Sequence, residues 1–98
     1  RGDMGFDGLL LSDDIGMEAL SGTPGERCAA MLAAGCDVVL ECSGDIEAMR
    51  ATADAASPLT TAASARLDRA LAEIGPPDET DPDLTTARLT SLINATTV

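Results

Sequence analysis

Apolar positions along the chain fall into two short continuous runs and several longer stretches with helical spacing. The first run sits in Asp7-Gly8-Leu9-Leu10-Leu11-Ser12, where a turn signal precedes the leucines. That pattern predicts a strand over residues 7–12, covered on both faces. A loop over residues 13–22 follows. Thr23-Pro24-Gly25-Glu26 then reads as a helix start, because Thr23 can cap, Pro24 suits the first helical position and Glu26 completes a capping box. This helix is expected to run to about Ala34, with Gly35 as its left-handed terminator. Cys36-Asp37-Val38-Val39-Leu40-Glu41-Cys42 is the second run and predicts a second buried strand. Strand, helix and strand with short joins make a βαβ unit, parallel and right-handed.

The helical spacing continues beyond it. A second helix is predicted from Asp45, with Ile46, Met49 and Ala53 on its apolar face, ending before Pro58. A third runs over residues 61–74 with Ala63, Leu67, Ala70, Leu71 and Ile74 in one stripe. Gly75-Pro76-Pro77 stops it, and residues 78–83 read as an acidic linker. Leu84, Leu89, Leu92 and Ile93 predict one last amphipathic helix capped by Asp83. The fold class is therefore α/β, a βαβα portion with C-terminal helices. Two strands make only a marginal sheet and leave their edges unpaired. The pattern is that of part of a larger repeating α/β fold.

Composition narrows the chemistry. The 98 residues carry 17 acidic and 6 basic side chains, a net charge of −11. Phosphate contacts need clusters of Lys and Arg, so nucleic acid is excluded as a partner, and anionic membrane surfaces with it. No apolar run reaches the roughly 20 residues that span a bilayer. Phe6 is the only aromatic residue, and alanine and leucine fill the apolar positions. Such helices suit the periphery of a bigger body better than a self-sufficient core. Cys28, Cys36 and Cys42 form no CxxC pair, and the chain has no histidine, so neither a metal nor another cofactor is expected. Cys28 and Cys42 lie among apolar residues and read as buried free thiols in a reducing cytoplasm.

The string that can carry chemistry is Gly5-Phe6-Asp7-Gly8-Leu9-Leu10-Leu11-Ser12-Asp13-Asp14-Ile15-Gly16-Met17. It brings two adjacent carboxylates to the C-terminal end of a buried parallel strand, where α/β barrels open into one shared pocket. A carboxylate there can attack an anomeric carbon or activate water. The same pair fits a helix cap or a tight turn, and spacing alone leaves both open.

This string resembles the nucleophile segment of glycoside hydrolase family 3, in particular that of bacterial β-N-acetylhexosaminidases of peptidoglycan recycling. Those carry G-F-D-G-x-x-x-S-D-D-L-x-M. Ala33-Ala34-Gly35-Cys36-Asp37-Val38-Val39-Leu40 and Cys42 are similar to the subgroup's last barrel strand. Ile15 stands for the usual Leu, Gly16 for a small polar residue and Ser43 for an Asn. The resemblance covers residues 1–75 and implies the C-terminal part of a (β/α)₈ TIM barrel, with residues 76–98 as linker and tail. It further implies that Asp13 is the catalytic nucleophile, that Met17 lines the sugar pocket and that Asp14 orients the loop behind it. The implied substrate is a glycan bearing terminal N-acetylglucosamine, in a cytoplasmic enzyme. The subgroup's proton donor is a histidine in a K-H-F-P-G-H-G loop earlier in the barrel. This chain has no histidine, so the N-terminal remainder of the barrel is needed, and residues 1–98 alone are expected to be inactive. A β-glucosidase of the same family is disfavoured, because the Asp13-Asp14 pair replaces Asp-Trp. A non-catalytic remnant or small interaction module is the alternative from a different class.

Overall fold

The computed structural model describes residues 1–96. It contains β1 (Leu11–Asp14), α1 (Pro24–Ala33), β2 (Val38–Leu40), α2 (Ile46–Ala55), α3 (Thr61–Ala72) and α4 (Pro82–Thr96). β1 and β2 pair in parallel as a two-stranded sheet, with Leu11 opposite Val38 and Asp14 opposite Leu40. The α/β class and the parallel βαβ unit expected from the sequence are present.

Both strands are shorter than the apolar runs predict, and β1 starts four residues later. Main-chain pairing explains the difference. Ahead of β1, the Leu10 N–H donates to the Asp37 carboxylate at 2.9 Å, so a side chain takes the place of a ladder partner. The Leu10 carbonyl in turn accepts from Asp37 N at 2.8 Å and Val38 N at 3.3 Å. Past β2, the Cys42 N–H is taken by the Asp14 side chain at 3.2 Å rather than by backbone. Neither strand is covered on both faces, since Leu11 of β1 and Leu40 of β2 remain 47% and 38% exposed. Cys28 is buried as expected and its thiol pKa is pushed up by desolvation, but Cys42 is exposed, because the chain has left the sheet two residues earlier.

The first helix follows its sequence signals closely. Thr23 Oγ1 accepts from Glu26 N at 3.2 Å, and Glu26 Oε2 accepts from Thr23 N at 2.9 Å. Gly35 adopts φ +110°, with Gly35 N donating to Leu32 O and Cys36 N to Met31 O, both at 3.1 Å. That pair of bonds closes the helix in a Schellman motif, which requires the left-handed residue glycine supplies. α2 is capped by Asp45, whose Oδ1 accepts from Glu47 N at 2.8 Å. Its expected apolar face is not the packed one: Ile46 and Met49 are 56% and 44% exposed, whereas Thr52 is buried. α1 approaches α2 through Gly25, where an added Cβ would sit 3.3 Å from Ala51 O and 3.6 Å from Ala55 Cβ. So close an approach selects the small side chains of α2 and leaves the large ones outside.

α3 is capped by Thr60, and of its stripe Ala63 is buried while Leu71 and Ile74 are exposed. α4 forms where expected, but Asp81 rather than Asp83 anchors its start. Asp81 Oδ1 accepts from Asp83 N at 2.9 Å, and Asp81 O from Thr85 N at 3.1 Å. Pro82 explains the shift, because its fixed φ and missing N–H suit the first helical position and leave the preceding residue to cap. Leu84, Leu89, Leu92 and Ile93 are all exposed. The radius of gyration is 19.2 Å, against about 13 Å for a compact domain of this length.

The ion-pair cluster around Asp37 gathers the separate pieces. Its side chain is 5% exposed and bonds Arg1, the Leu10 N–H and Arg66 Nη1, the last at 2.9 Å. Arg66 also reaches Asp7 at 3.0 Å, and Arg69 reaches the same carboxylate at 3.3 Å. The Leu10 N–H is the main cause that lowers the Asp37 pKa, helped by Arg66 and Arg1 against the opposing effect of desolvation. The Asp7 carboxyl is lowered too, chiefly by its hydrogen bond from Arg66. A lowered folded-state value stabilises fully above the ordinary carboxylate value of about 3.9 and is lost as pH falls through the folded value. Asp37→Asn in the complete polypeptide is therefore expected to lower the unfolding midpoint at pH 7, and the gap to the parent should close below about pH 4. Thermal unfolding followed by circular dichroism across pH 2–8 reads this directly; a gap that persists at the acid end would rule it out.

Candidate active site

β1 ends in a register irregularity between Leu11 and Asp14, where three residue steps on β1 match two on β2. One residue too many on one strand makes a bulge, which interrupts the ladder and re-aims side chains. Ser12 fills the interruption. Its buried Oγ accepts from Leu40 N at 3.0 Å and donates to Asp13 O at 2.7 Å, so a side-chain hydroxyl stands in for a ladder carbonyl. Pairing resumes at Ile15, which is buried and donates its N–H to Leu40 O at 3.0 Å.

The two adjacent carboxylates have different surroundings. Asp14 Oδ1 accepts from Gly16 N at 2.9 Å and from Cys42 N at 3.2 Å, tying the loop after β1 to the end of β2. Asp13 is exposed, and among the described residues its carboxylate accepts only from the following Asp14 N–H, at 2.8 Å. One carboxylate is thus held in the backbone at the strand end, and its neighbour is open. An open carboxylate on a rigid strand terminus can act as a nucleophile or a base toward a molecule bound above the sheet.

The loop beyond carries Met17, which is 39% exposed. Arg27, from the first turn of α1, fixes this loop from behind. Its Nη1 donates to Ile15 O at 2.7 Å and Met17 O at 3.4 Å, its Nη2 to Leu20 O at 2.7 Å, and its Nε to Ser21 O at 3.4 Å. A planar guanidinium spreads five N–H donors over a rigid fork and so reaches carbonyls spaced along a loop, which the compact ammonium of a lysine does not. Asp13, Asp14 and Met17 therefore lie on one strand end and its loop, as the sequence places them. Sequence reasoning missed Ser12 as a ladder partner and Arg27 as the organiser of the loop. Ser12 lies inside the informative string, but nothing in spacing marks an arginine whose targets are all main-chain oxygens.

No group of three or more potential metal-ligating side chains forms among the described residues, and no helix is long and apolar enough to cross a membrane. With no histidine in the chain, an imidazole acid or base beside Asp13 has to come from outside these 98 residues.

The family model for the glycosyl hydrolase family 3 N terminal domain matches residues 1–75. Among curated proteins, the chain is similar to a beta-hexosaminidase of Xanthomonas campestris pv. campestris, with 48% identity over 65 residues, covering 64% of this chain and 20% of the relative. A beta-hexosaminidase of Chromobacterium violaceum is 44% identical over 71 residues, covering 70% of this chain and 20% of its own length. One from Nitrosospira multiformis is 49% identical over 45 residues, covering 44% and 13%. The chain thus spans a fifth or less of the length of these relatives. No solved structure matches it. The strand-end carboxylate, the loop behind it and the match across both strands lead to one conclusion: this chain belongs to glycosyl hydrolase family 3.

Proposed function

We propose that this chain is the C-terminal part of the catalytic barrel of a β-N-acetylhexosaminidase, with β1 and β2 as its seventh and eighth strands and residues 76–98 as linker and tail. The observation that supports this reading best is the bulge at the end of β1. It leaves Asp13 open while Ser12 and Asp14 bond the neighbouring strand. The chain's relatives are beta-hexosaminidases, which points to the same reaction class. The substrate is a glycan ending in N-acetylglucosamine, and muropeptides of a recycled cell wall, handled in the cytoplasm, fit the subgroup that the Phe6–Met17 string resembles.

In this reading hydrolysis retains configuration. An oxygen of the Asp13 carboxylate attacks the anomeric carbon as the bond to the leaving oxygen breaks, and the leaving group takes a proton from a general acid. Water then attacks the same carbon, the acid, now a base, removes its proton, and Asp13 leaves as carboxylate. Retaining enzymes place the two groups about 5–5.5 Å apart across the scissile bond. Here the acid/base belongs to the remainder of the barrel, so residues 1–98 alone do not turn over substrate. Asp14 acts through position: by holding Gly16 and Cys42 it fixes the strand end from which Asp13 projects. Met17 offers an apolar wall to the sugar.

Two variants of the complete polypeptide test this assignment. Asp13→Asn preserves shape but not nucleophilicity and is expected to lower turnover of an aryl N-acetylglucosaminide more than about a thousandfold without lowering the unfolding midpoint. Near-parental turnover would remove Asp13 from the mechanism. Arg27→Ala frees the carbonyls of Ile15, Met17 and Leu20 and should lower kcat/KM by roughly tenfold to a hundredfold, since misplacement of about 1 Å costs that much. Arg27→Lys should recover only part of the loss, because one ammonium cannot span the same carbonyls. Equal rates for alanine and lysine variants would contradict the positioning role.

A further inference from the structure

Three hydrogen bonds follow one another through the bulge of β1. Leu40 N–H donates to Ser12 Oγ at 3.0 Å, the Ser12 hydroxyl donates to Asp13 O at 2.7 Å, and Asp14 N–H donates to Asp13 Oδ1 at 2.8 Å. The second and third meet at one peptide unit, because the Asp13 carbonyl and the Asp14 N–H share it. That unit is planar and trans, with its C=O and N–H on opposite sides, so a bond that holds one end holds the other. Turned over, the peptide would set its carbonyl oxygen against the Asp13 carboxylate, two negative ends together.

A hydroxyl suits position 12 because it accepts from β2 and donates to the Asp13 carbonyl at the same time, which an aliphatic side chain cannot. Ser12 is buried, so a molecule bound above the sheet meets Asp13, which is exposed, and not Ser12. Bonds in series polarise one another where water is excluded. At the far end of the series Asp13 Oδ1 is engaged by the Asp14 N–H, and Oδ2 is the oxygen left without a hydrogen bond among the described residues.

We propose that Ser12 is the positioning residue for the nucleophile: through the Asp13–Asp14 peptide it holds Oδ1 in place and presents Oδ2 to the anomeric carbon. This rests on the reading of Asp13 as the nucleophile. In the attack, an Oδ2 lone pair forms the bond to carbon as the bond to the leaving oxygen breaks. The leaving oxygen takes the proton of the general acid, and Oδ1 keeps the Asp14 N–H throughout. The Asp14 side chain supports the strand end separately, through Gly16 and Cys42. Because Ser12 governs the aim of Asp13 and not contact with the sugar, its loss shows in kcat rather than in KM.

The test compares variants of the complete polypeptide. Ser12→Ala removes the hydroxyl, and Ser12→Thr and Ser12→Val differ in the hydroxyl at nearly equal shape. With an aryl N-acetylglucosaminide, the alanine and valine variants are expected to lose roughly tenfold to a hundredfold in kcat, with KM within about twofold of the parent. The threonine variant should stay within about threefold of the parent kcat, since it keeps donor and acceptor. Hydrogen exchange reads the same bonds without substrate: the Leu40 amide should be protected in the parent and exchange at least roughly tenfold faster in Ser12→Ala. A parental kcat in Ser12→Ala with faster Leu40 exchange overturns the proposal, leaving the hydroxyl a ladder partner alone. A threonine variant as slow as the valine one also overturns it, as does a loss carried by KM or an unchanged Leu40 exchange. If the added methyl stops both larger variants from folding, kcat, KM and Leu40 exchange in Ser12→Ala decide. Asp13→Asn separates the two claims. Near-parental turnover there faults the nucleophile reading, whereas an inactive Asp13→Asn beside a fully active Ser12→Ala faults the role of Ser12.

Discussion

The buried carboxylate of Asp37 is the contact on which the arrangement of this chain depends. It accepts the Leu10 N–H, pairs with Arg1 from the chain start and holds Arg66 from α3. Without it the Leu10 N–H at the entrance to β1 would lack a partner, and of the ion pairs of Arg66 and Arg69 on α3 only those to Asp7 would remain. An apolar contact could join these pieces but would not fix their register. Three charge-assisted bonds converging on one side chain do, because each constrains a direction as well as a distance. Apolar burial adds little beside it: Ile15, Cys28 and Ala63 are the buried apolar side chains among the described residues.

From that anchored entrance, β1 runs four residues, and the bulge lies within them, between Leu11 and Asp14. The local chemistry divides three consecutive polar residues among three tasks. Ser12 replaces a ladder carbonyl, Asp14 collects two backbone N–H groups across the strand end, and Asp13 is left open. A regular strand would have no need of the Ser12 hydroxyl or the Asp14 carboxylate, and Asp13 would follow the pleat. Arg27 completes the support from α1, so the capping box at Thr23 and Glu26 matters to the site as well as to the helix. A change at the helix start moves the guanidinium that holds the loop.

Much of this was legible in the sequence, where local rules decide. The capping box, the Gly35 terminator and the Asp45 start depend on neighbours a few residues away, so the one-dimensional pattern suffices. The strand limits were less legible because side chains of Asp37, Ser12 and Asp14 act as backbone partners, and hydrophobicity does not register that. The packed face of α2 was misread because Gly25 brings α1 close enough to favour small residues over Ile46 and Met49. Asp13 and Asp14 could be located from one string, yet their different surroundings come from a bulge that no periodicity reports. The exposed apolar side chains of β1, α2 and α4 agree with the expectation from composition, that such elements suit the periphery of a bigger body, on which the proposed function rests.

The central claim is that Asp13 forms the covalent bond to the sugar. It is tested most directly by treating the complete polypeptide with a 5-fluoro glycosyl fluoride of N-acetylglucosamine, which forms a glycosyl-enzyme faster than it is released. Proteolysis and mass spectrometry then locate the adduct. The account predicts one added sugar on the peptide spanning β1, with fragmentation placing it on Asp13. An adduct on any other residue, or an active enzyme that never accumulates one, would contradict it.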